Sequence, residues 1–265
     1  MKLVKAQALG NDFLLLDSRD VRRGVDVPHL ARTLCERHRG VGADGLIIFE
    51  TVAEATSMQL FNADGSPSEI SGNGVRCLAA WVAFQTGATQ PASIRISTDA
   101  GTKRLDLLDR DGTRYTFRAA MGPPERIDRV ELEVNGQLVE AITLAVGNPQ
   151  CVVLGEATDE RLHTIAAPLA VHRHFPRGTN VELATVEAPN RVRILIWERG
   201  VGPTEASGTG ACAAAVAAHR FGGASNEVEV VSPGGTQRVE WREDSLYLTG
   251  WADLVAIIET VGLFF

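Results

Sequence analysis

Short apolar runs separated by glycine and polar residues follow one another along the first half of the chain. Runs of about four to eight residues rich in Leu, Ile, Val and Phe are typical of β-strands. They predict strands at 2–8, 12–17, 45–50, 57–62, 93–98, 102–108 and 114–119. A helix is predicted at 27–38, because Asp26 is a suitable N-cap and Pro28 fits the first turn. A second helix is predicted to begin near Gly74.

The second half of the chain repeats this order of elements. The same patterns predict strands at 137–145, 150–154, 180–185 and 190–197, a helix at 158–167, and a helix from about Gly208. Between the halves lies "MGPPERID", residues 121–128. Adjacent prolines interrupt regular structure, so this segment is predicted to be a domain junction.

Both later helices are preceded by the same serine-glycine-x-glycine sequence. "ISGNGVRCLAAWVA" contains Ser71, and "ASGTGACAAAVAA" contains Ser207. Matched polar residues precede each serine: Asn11 and Asn148 come 60 and 59 residues earlier, and Asn62 and Glu198 both come nine residues earlier. Two matching distances indicate an internal duplication. We therefore expect a pseudo-twofold arrangement in which the two helix starts face each other across a cleft.

Paired helix starts of this kind suit a carboxylate ligand. The first N–H groups of a helix have no intrahelical partner and lie at the positive end of the helix dipole. Two such ends holding one carboxylate would stabilise the negative charge that forms when the adjacent Cα loses its proton. Ser71 and Ser207 would then reach opposite faces of that carbon, which is the geometry for inverting a stereocentre without a cofactor. A single such serine predicts only an N-cap, and the duplication favours a site.

The composition of the chain argues against several classes of function. With 45% apolar residues the chain is typical of a globular protein, and its net charge of −7 argues against nucleic-acid binding. No apolar run approaches the roughly 20 residues that span a bilayer. The four cysteines lie far apart without a CxxC pair, which favours reduced thiols in the cytoplasm and predicts no metal site. His172 and His174 lack further Cys or His ligands nearby and are interpreted as loop residues.

Two glycine-rich segments also match dinucleotide-binding patterns. "GVGADG" at 40–45 precedes a predicted strand, and "GTGACA" at 208–213 is separated from its upstream strand by "RGVGPTEAS". The dinucleotide fingerprint requires a strand, a tight turn and a helix in direct succession. Both matches are therefore weak.

Taken in order, the motifs resemble the diaminopimelate epimerase family. The segments that carry the resemblance are "LGNDFLLLD", "GVGADGLIIFE", "FNADGSPSEISGNGVRC", "GNPQCVV", "FPRGTNVEL" and "ERGVGPTEASGTGACAAA". The resemblance implies an α/β (α+β) fold of two pseudo-symmetric domains, each a curled mixed sheet around a central helix. It implies domains at 1–119 plus about 255–265 and at 120–254, with the active site between them. A short C-terminal strand within "DLVAIIETVGLFF", residues 253–265, would return to the first domain.

The resemblance also implies the reaction and its residues. Members of this family invert LL-diaminopimelate to the meso isomer, a precursor of lysine and peptidoglycan, without a cofactor such as pyridoxal phosphate. The positions that would bind the far end of the substrate are Asn11, Asn62, Asn148, Asn180, Glu198 and Arg199. Those that would bind the reacting carboxylate are Gly72, Asn73, Gly208 and Thr209. Arginine binds carboxylates through two parallel hydrogen bonds, whereas Glu and Asn oxygens accept from an ammonium group. Each asparagine alone would fit a turn equally well.

The chain departs from the family at the catalytic positions. The family has a cysteine at each, and this chain has Ser71 and Ser207; Gln150 stands where the family usually has a histidine that tunes the thiol. A thiol has a reference pKa near 8.5 and a serine hydroxyl is a far weaker acid, so a serine needs a separate base. No such base is evident near the serines in sequence. We therefore expect severely impaired epimerisation, whether the serines were introduced by design or belong to a natural serine-type paralogue.

Three functions remain open at this point. The first is an epimerase acting on diaminopimelate, the second a related racemase or lyase acting on another amino acid, and the third a non-catalytic amino-acid-binding protein. Cys77 and Cys212 lie more than a turn inside the two helices and are predicted to be buried and inert. The resemblance further suggests a homodimer in the cytoplasm, with a small amino acid as its partner and neither nucleic acid nor membrane.

Overall fold

A computed structural model describes residues 1–53, 55–68, 71–88, 90, 92–243 and 245–261. The chain forms two compact units, Met1–Ala119 with Gly250–Phe265, and Ala120–Thr249. In each unit a mixed sheet surrounds one long helix, which confirms the predicted α+β fold class. Across the described residues, no helix combines the length and apolar character needed to cross a membrane.

The first unit contains eight strands and two helices before the chain passes on. The strands are β1 Lys2–Ala8, β2 Asn11–Asp17, β3 Gly45–Val52, β4 Ala55–Asn62, β5 Pro67–Ser68, β6 Ala92–Thr98, β7 Gly101–Asp111 and β8 Arg114–Gly122. The helices are α1 Val27–Cys35 and α2 Gly72–Thr86. A short 3-10 helix, Ser18–Asp20, precedes α1.

The remaining strands and helices belong to the second unit, except that the part of β17 from Gly250 onwards belongs to the first. The strands are β9 Glu125–Val134, β10 Gln137–Ala145, β11 Pro149–Leu154, β12 Asn180–Ala188, β13 Arg191–Glu198, β14 Gly202–Thr204, β15 Glu227–Ser232, β16 Gly235–Arg242 and β17 Ser245–Glu259. The helices are α3 Asp159–Arg161, α4 Ala167–Ala170 and α5 Gly208–Phe221, with a π-helical turn, Leu162–Ala166, between α3 and α4.

The strand pairings of the two units repeat one another. In the first unit β1–β2 is antiparallel, β2–β3 parallel, β3–β4 antiparallel and β4–β6 parallel. In the second unit β10–β11, β11–β12, β12–β13 and β13–β15 follow the same alternation. Along the chain, α2 lies between the short strand β5 and β6, and α5 lies between the short strand β14 and β15. The internal duplication predicted from residue spacing is therefore confirmed at the level of topology.

Both long helices are buried along most of their length. Helix α2 has ten buried residues among its 15, and the apolar side chains of the strands surround it in one core. Every residue of α5 from Gly210 to Ala218 is buried, and most of them are alanine. Small side chains let the strands approach the helix closely, so the start of each helix is held firmly by the sheet around it.

Smaller cores cover the outer faces of the sheets. In the first unit α1 packs on the outer side of β2 and β3 through Leu30 and Leu34. Its start is as predicted, because the Asp26 side chain accepts from the His29 N–H at 3.1 Å. In the second unit the segment 162–170 packs on β9 to β12 through Leu162 and Leu169.

Some predicted boundaries were wrong. Helix α1 ends at Cys35 instead of residue 38, because the carbonyls of Leu34 and Cys35 accept from the returning chain at Val41 to Ala43. The predicted junction at 121–128 contains the two prolines between β8 and β9, but β9 already begins at Glu125. The sequence did not predict strands β5, β9, β14, β15 and β16.

The C-terminal strand is longer than predicted. β17 runs for 15 residues from Ser245 and pairs with β16 in its first part. Its second part pairs antiparallel with β1 from Asp253 to Glu259, so the predicted return to the first unit is present. Residues 262–265 of the predicted segment lie outside those that the structure describes.

The central position of α2 gives a stability prediction. Leu78 is 0% exposed in the core of the first unit, so Leu78→Ala should lower the free energy of unfolding by about 2–5 kcal/mol. Val52 is 63% exposed, and Val52→Ala should change it by about 0.5 kcal/mol or less. Urea unfolding of both variants measures the difference. Equal losses would contradict the buried position of α2.

Candidate active site

Ser71 forms the N-cap of α2. Its backbone is extended, with φ −130° and ψ 122°, and its Oγ accepts from the Gly74 N–H at 3.1 Å. A Cβ added at Gly72 would meet no heavy atom within 4 Å. The first turn of α2 is therefore open at Gly72, where backbone N–H groups without intrahelical partners can bind an anion.

A chain of polar side chains lies beside this helix start. The Asn73 Nδ2 donates to the Asn11 Oδ1 at 3.4 Å, and the Asn11 Nδ2 donates to the Asp44 Oδ2 at 2.8 Å. The buried Arg76, one turn further along α2, donates to the Asn73 Oδ1. The structure thus brings together two predicted site residues, Asn11 and Asn73, and adds a buried guanidinium behind them.

Asn62 is used locally. It ends β4, and its backbone N–H and its Nδ2 donate to the carbonyl and hydroxyl of Ser66 at 2.8 and 2.9 Å. These bonds close the tight turn between β4 and β5. Asn62 therefore forms a turn, which is the role that an isolated asparagine would also fit.

Ser207 forms the N-cap of α5 in the same way. Its φ and ψ are −137° and 129°, and its Oγ accepts from the Gly210 N–H at 3.1 Å. The hydroxyl of Thr209 lies 3.5 Å from the Ser207 Oγ. Both serines are thus in cap conformation, with the hydroxyl oxygen fixed at the tip of a helix.

Gln150 connects this helix start to the neighbouring strand. It is 1% exposed, and its Nε2 donates to the Thr209 Oγ1 at 3.0 Å and to the Asn148 Oδ1 at 2.6 Å. The predicted residues Asn148, Gln150, Thr209 and Ser207 therefore form one continuous polar chain. An amide side chain cannot accept a proton at neutral pH, so Gln150 orients Thr209 without acting as a base.

The other predicted far-end residues lie at the ends of β12 and β13. Asn180 pairs with Gln150 in the parallel β11–β12 ladder, and its Oδ1 accepts from the Arg199 N–H at 2.9 Å. The Arg199 side chain donates to the Arg177 carbonyl at 3.1 Å. Burial raises the pKa of the Glu198 carboxyl, which ends β13.

One buried carboxyl group was missed by sequence reasoning. Glu182, the third residue of β12, is 0% exposed, and its Oε1 would lie 2.5 Å from a Cβ added at Gly210. The Ser207 Cβ lies 3.2 Å from the same point. The sequence shows no base near the serines, whereas the tertiary structure places this carboxyl group beside Gly210 together with Ser207. The only sequence signal was a charged residue within the predicted strand 180–185.

No cysteine lies at either helix tip. Cys77 and Cys212 are both 0% exposed, which confirms the prediction that they are buried. Burial raises the pKa of the Cys77 thiol far above its ordinary value and that of Cys35 to about 12. Among the residues that the structure describes, no group of three or more His, Cys, Asp or Glu side chains is arranged to hold a metal ion.

The architecture is similar to that of several solved structures. A predicted epimerase from Pseudomonas aeruginosa matches with a TM-score of 0.75 at 14% identity, covering 99% of both chains. A phenazine biosynthesis protein of the PhzF family from Bacillus anthracis matches with 0.73 at 13% identity, covering 98% of this chain and 99% of that one. A hydroxyproline epimerase from Agrobacterium vitis matches with 0.69 at 15% identity, covering 97% and 90%. The chain has the fold that these proteins share.

Sequence similarity is more specific. The profile of the family described as diaminopimelate epimerase matches residues 3–127 and 142–255. Diaminopimelate epimerase from Desulforudis audaxviator is 39% identical, covering 96% of this chain and 97% of its own. That from Pelotomaculum thermopropionicum is 38% identical with the same coverage, and a putative chloroplastic enzyme from Oryza sativa is 36% identical, covering 96% and 78%. The chain belongs to the diaminopimelate epimerase family and is an isomerase of the epimerase class.

The two serine caps give a stability prediction. Ser71→Ala and Ser207→Ala each remove the acceptor for one N–H of the first turn, so each should lower the free energy of unfolding by about 0.5–2 kcal/mol. Urea unfolding measures the loss. The exposed Ser57 on β4 is the control, and Ser57→Ala should cost about 0.5 kcal/mol or less. Cap variants no less stable than Ser57→Ala would contradict the assigned bonds.

Proposed function

We propose that this chain is a cofactor-independent epimerase for diaminopimelate, converting the LL to the meso isomer, with turnover limited by its two catalytic serines. The observation that supports the proposal is the matched pair of serine-capped helix starts, each beside its own chain of polar side chains. Family membership supports the substrate, a precursor in lysine biosynthesis.

The reacting carboxylate is proposed to bind the first-turn N–H groups of both long helices. The residues assigned to this role are Gly72, Asn73, Gly208 and Thr209. Their support is the buried length of each helix, since N–H dipoles that point along a fixed axis do not reorganise as charge forms. The arrangement would stabilise the carbanion more than the bound amino acid, which is the requirement for catalysis.

The far amino-acid end is proposed to bind Asn11, Asn62, Asn148, Asn180, Glu198 and Arg199. Asn11 and Asn148 are supported by their positions in the two polar chains. Asn180 and Arg199 are supported by the hydrogen bond that joins them. In this role the guanidinium of Arg199 would bind the carboxylate, and the Glu198 carboxylate would accept from the ammonium group.

Inversion requires one proton to leave Cα and another to arrive on the opposite face. The Cα–H bond breaks towards the group at one catalytic position, its electron pair enters the carboxylate-stabilised carbanion, and the group at the other position donates a proton to the carbon. We assign these positions to Ser71 and Ser207. A hydroxyl already fixed as a cap acceptor can donate its proton, but it accepts one from carbon poorly without a base. Slow proton removal therefore limits the reaction.

The cellular location and the oligomeric state are proposed from fewer observations. The buried positions of all four cysteines support a reducing compartment, and we propose the cytoplasm. Family resemblance supports a homodimer, which sedimentation velocity at several concentrations would measure.

Restoring the thiols tests the proposed function. Ser71→Cys combined with Ser207→Cys should raise the rate of hydrogen–deuterium exchange at the Cα of diaminopimelate by about 10²–10⁴-fold without added cofactor, because a thiolate accepts a proton that a hydroxyl does not. Exchange is followed in deuterated water by mass spectrometry, and inversion by chiral chromatography.

The matched control is Ser57→Cys, which introduces a thiol on β4 outside the site and should leave exchange unchanged. Each single cysteine variant should exchange more slowly than the double variant. A folded double variant that binds diaminopimelate in calorimetry without exchanging its Cα hydrogen would overturn the proposal and favour a binding protein. Inversion of another amino acid with none of diaminopimelate would overturn the substrate.

A further inference from the structure

Glu182 occupies the sheet position directly beneath the start of α5. In the ladders it lies between Val152 on β11 and Ile196 on β13. Both neighbours belong to the apolar core that surrounds α5. A carboxyl group is therefore placed in the lining of a core, under the helix tip that Ser207 caps.

This carboxyl group has no hydrogen-bond partner in the described part of the chain. Glu182 is 0% exposed, and both its Oε1 and its Oε2 are unpaired. Its Oε1 and the Ser207 Cβ lie 2.5 and 3.2 Å from the point where a Cβ of Gly210 would be. The carboxyl thus shares one side of Gly210 with the catalytic serine. Burying a polar group without a partner is costly, so this carboxyl group calls for a role other than stability.

The first unit shows that the fold does not need a carboxyl group here. Ile47 lies two residues into the equivalent parallel ladder, opposite Leu15, as Glu182 lies opposite Val152. A Cβ added at Gly74 would meet the Ile47 Cδ1 at 3.0 Å and the Ser71 Cβ at 3.4 Å. The same place beneath the helix start is therefore apolar in one unit and carboxylic in the other.

We propose that Glu182 is a positioning residue that exchanges a proton with the Ser207 hydroxyl, so that the two side chains work as a dyad. The proposal rests on the proposed function. When Ser207 removes the Cα proton, the Cα–H bond breaks, its proton bonds to Oγ, and the original hydroxyl proton passes to the Glu182 carboxylate. The electron pair remains in the carbanion. In the reverse direction, protonated Glu182 returns its proton to Oγ as Oγ protonates the carbanion.

The surroundings of Glu182 determine its protonation. Burial raises the pKa of the Glu182 carboxyl well above its ordinary value, and the Glu198 carboxylate on β13 raises it further. The elements packed against it carry further titratable or charged groups. Cys151 lies on β11 and burial raises its pKa, Cys212 lies on α5, Arg191 and Arg193 on β13 are paired with Glu187, and His219 and Arg220 lie in the last turn of α5, at the end away from Ser207. Glu182 is therefore protonated at acid pH and loses its proton as the pH rises, and the resulting carboxylate can accept the hydroxyl proton of Ser207. Proton removal from substrate should increase with pH through the raised pKa of Glu182.

Glu182→Gln keeps the shape of the side chain and removes its proton chemistry. In the otherwise unchanged chain it should lower Cα hydrogen exchange of diaminopimelate at least tenfold and abolish the rise of exchange with pH. In the Ser207→Cys background the same substitution should lower exchange less than threefold, because the thiol accepts a proton by itself. The control is Glu187→Gln, which removes an exposed carboxylate near the end of the same strand and should leave exchange unchanged. Equal losses in both backgrounds would overturn the proposal, since a structural role affects serine and cysteine alike.

Infrared spectroscopy tests the dyad without turnover. The unchanged chain in deuterated water should show the C=O band of a buried, protonated carboxyl group, and Ser207→Ala should shift that band because the proposed partner hydroxyl is lost. Ser71→Ala should leave the band in place. Absence of the band throughout the stable pH range, or a band indifferent to Ser207→Ala, would overturn the proposal. Failure of the Ser71→Cys, Ser207→Cys variant to exchange overturns the proposed function instead, and the infrared result still decides the role of Glu182.

Discussion

The serine cap at the start of each long helix is the contact on which the candidate site depends. The hydroxyl oxygens of Ser71 and Ser207 accept from an N–H of the first turn at 3.1 Å, which fixes each serine at a helix tip. The tips themselves are fixed because α2 and α5 are buried along most of their length within their sheets. A free helix of this size would fray at its ends, whereas these ends are held by apolar packing. The N–H groups at each helix tip are therefore rigid because the apolar core holds the rest of the helix in place.

The duplicated units differ in the side chains placed around the two caps. Gln150, two residues after Asn148, connects to Thr209, and the matching residue two after Asn11 is the apolar Phe13. The fifth residue after each serine is Arg76 in one helix and Cys212 in the other. A positive charge behind Asn73 and a buried carboxyl beneath Gly210 make the two tips electrostatically different. A reaction that removes a proton at one position and delivers one at the other benefits from such a difference.

The two serines suit the structure of the helix starts better than they suit proton removal from carbon. A cap requires an acceptor oxygen, and serine supplies it well, so both helix starts are stabilised. Proton removal from carbon requires a group that becomes a base, and a hydroxyl does so only with help. Gln150 cannot provide that help, whereas Glu182 is placed to do so. A residue can thus be well suited to starting a helix and poorly suited to removing a proton from carbon.

Local patterns in the sequence determined the order of strands and helices, the duplication and the two helix starts. Capping, apolar periodicity and glycine at a helix start act within a few residues, so the sequence alone shows them. The duplication is visible because the distances between matched residues are nearly the same in both halves of the chain. The missed strands β15 and β16 and the early end of α1 show the limit, since long-range pairing set them. The contacts of the site depend on the same kind of pairing: Gln150 meets Thr209 across 59 residues, and Glu182 lies beneath Gly210 only because β11 and β12 are parallel in one register. Only the tertiary structure decided those neighbours, because a shift of one residue in the ladder would turn each of these side chains to the other face of the sheet.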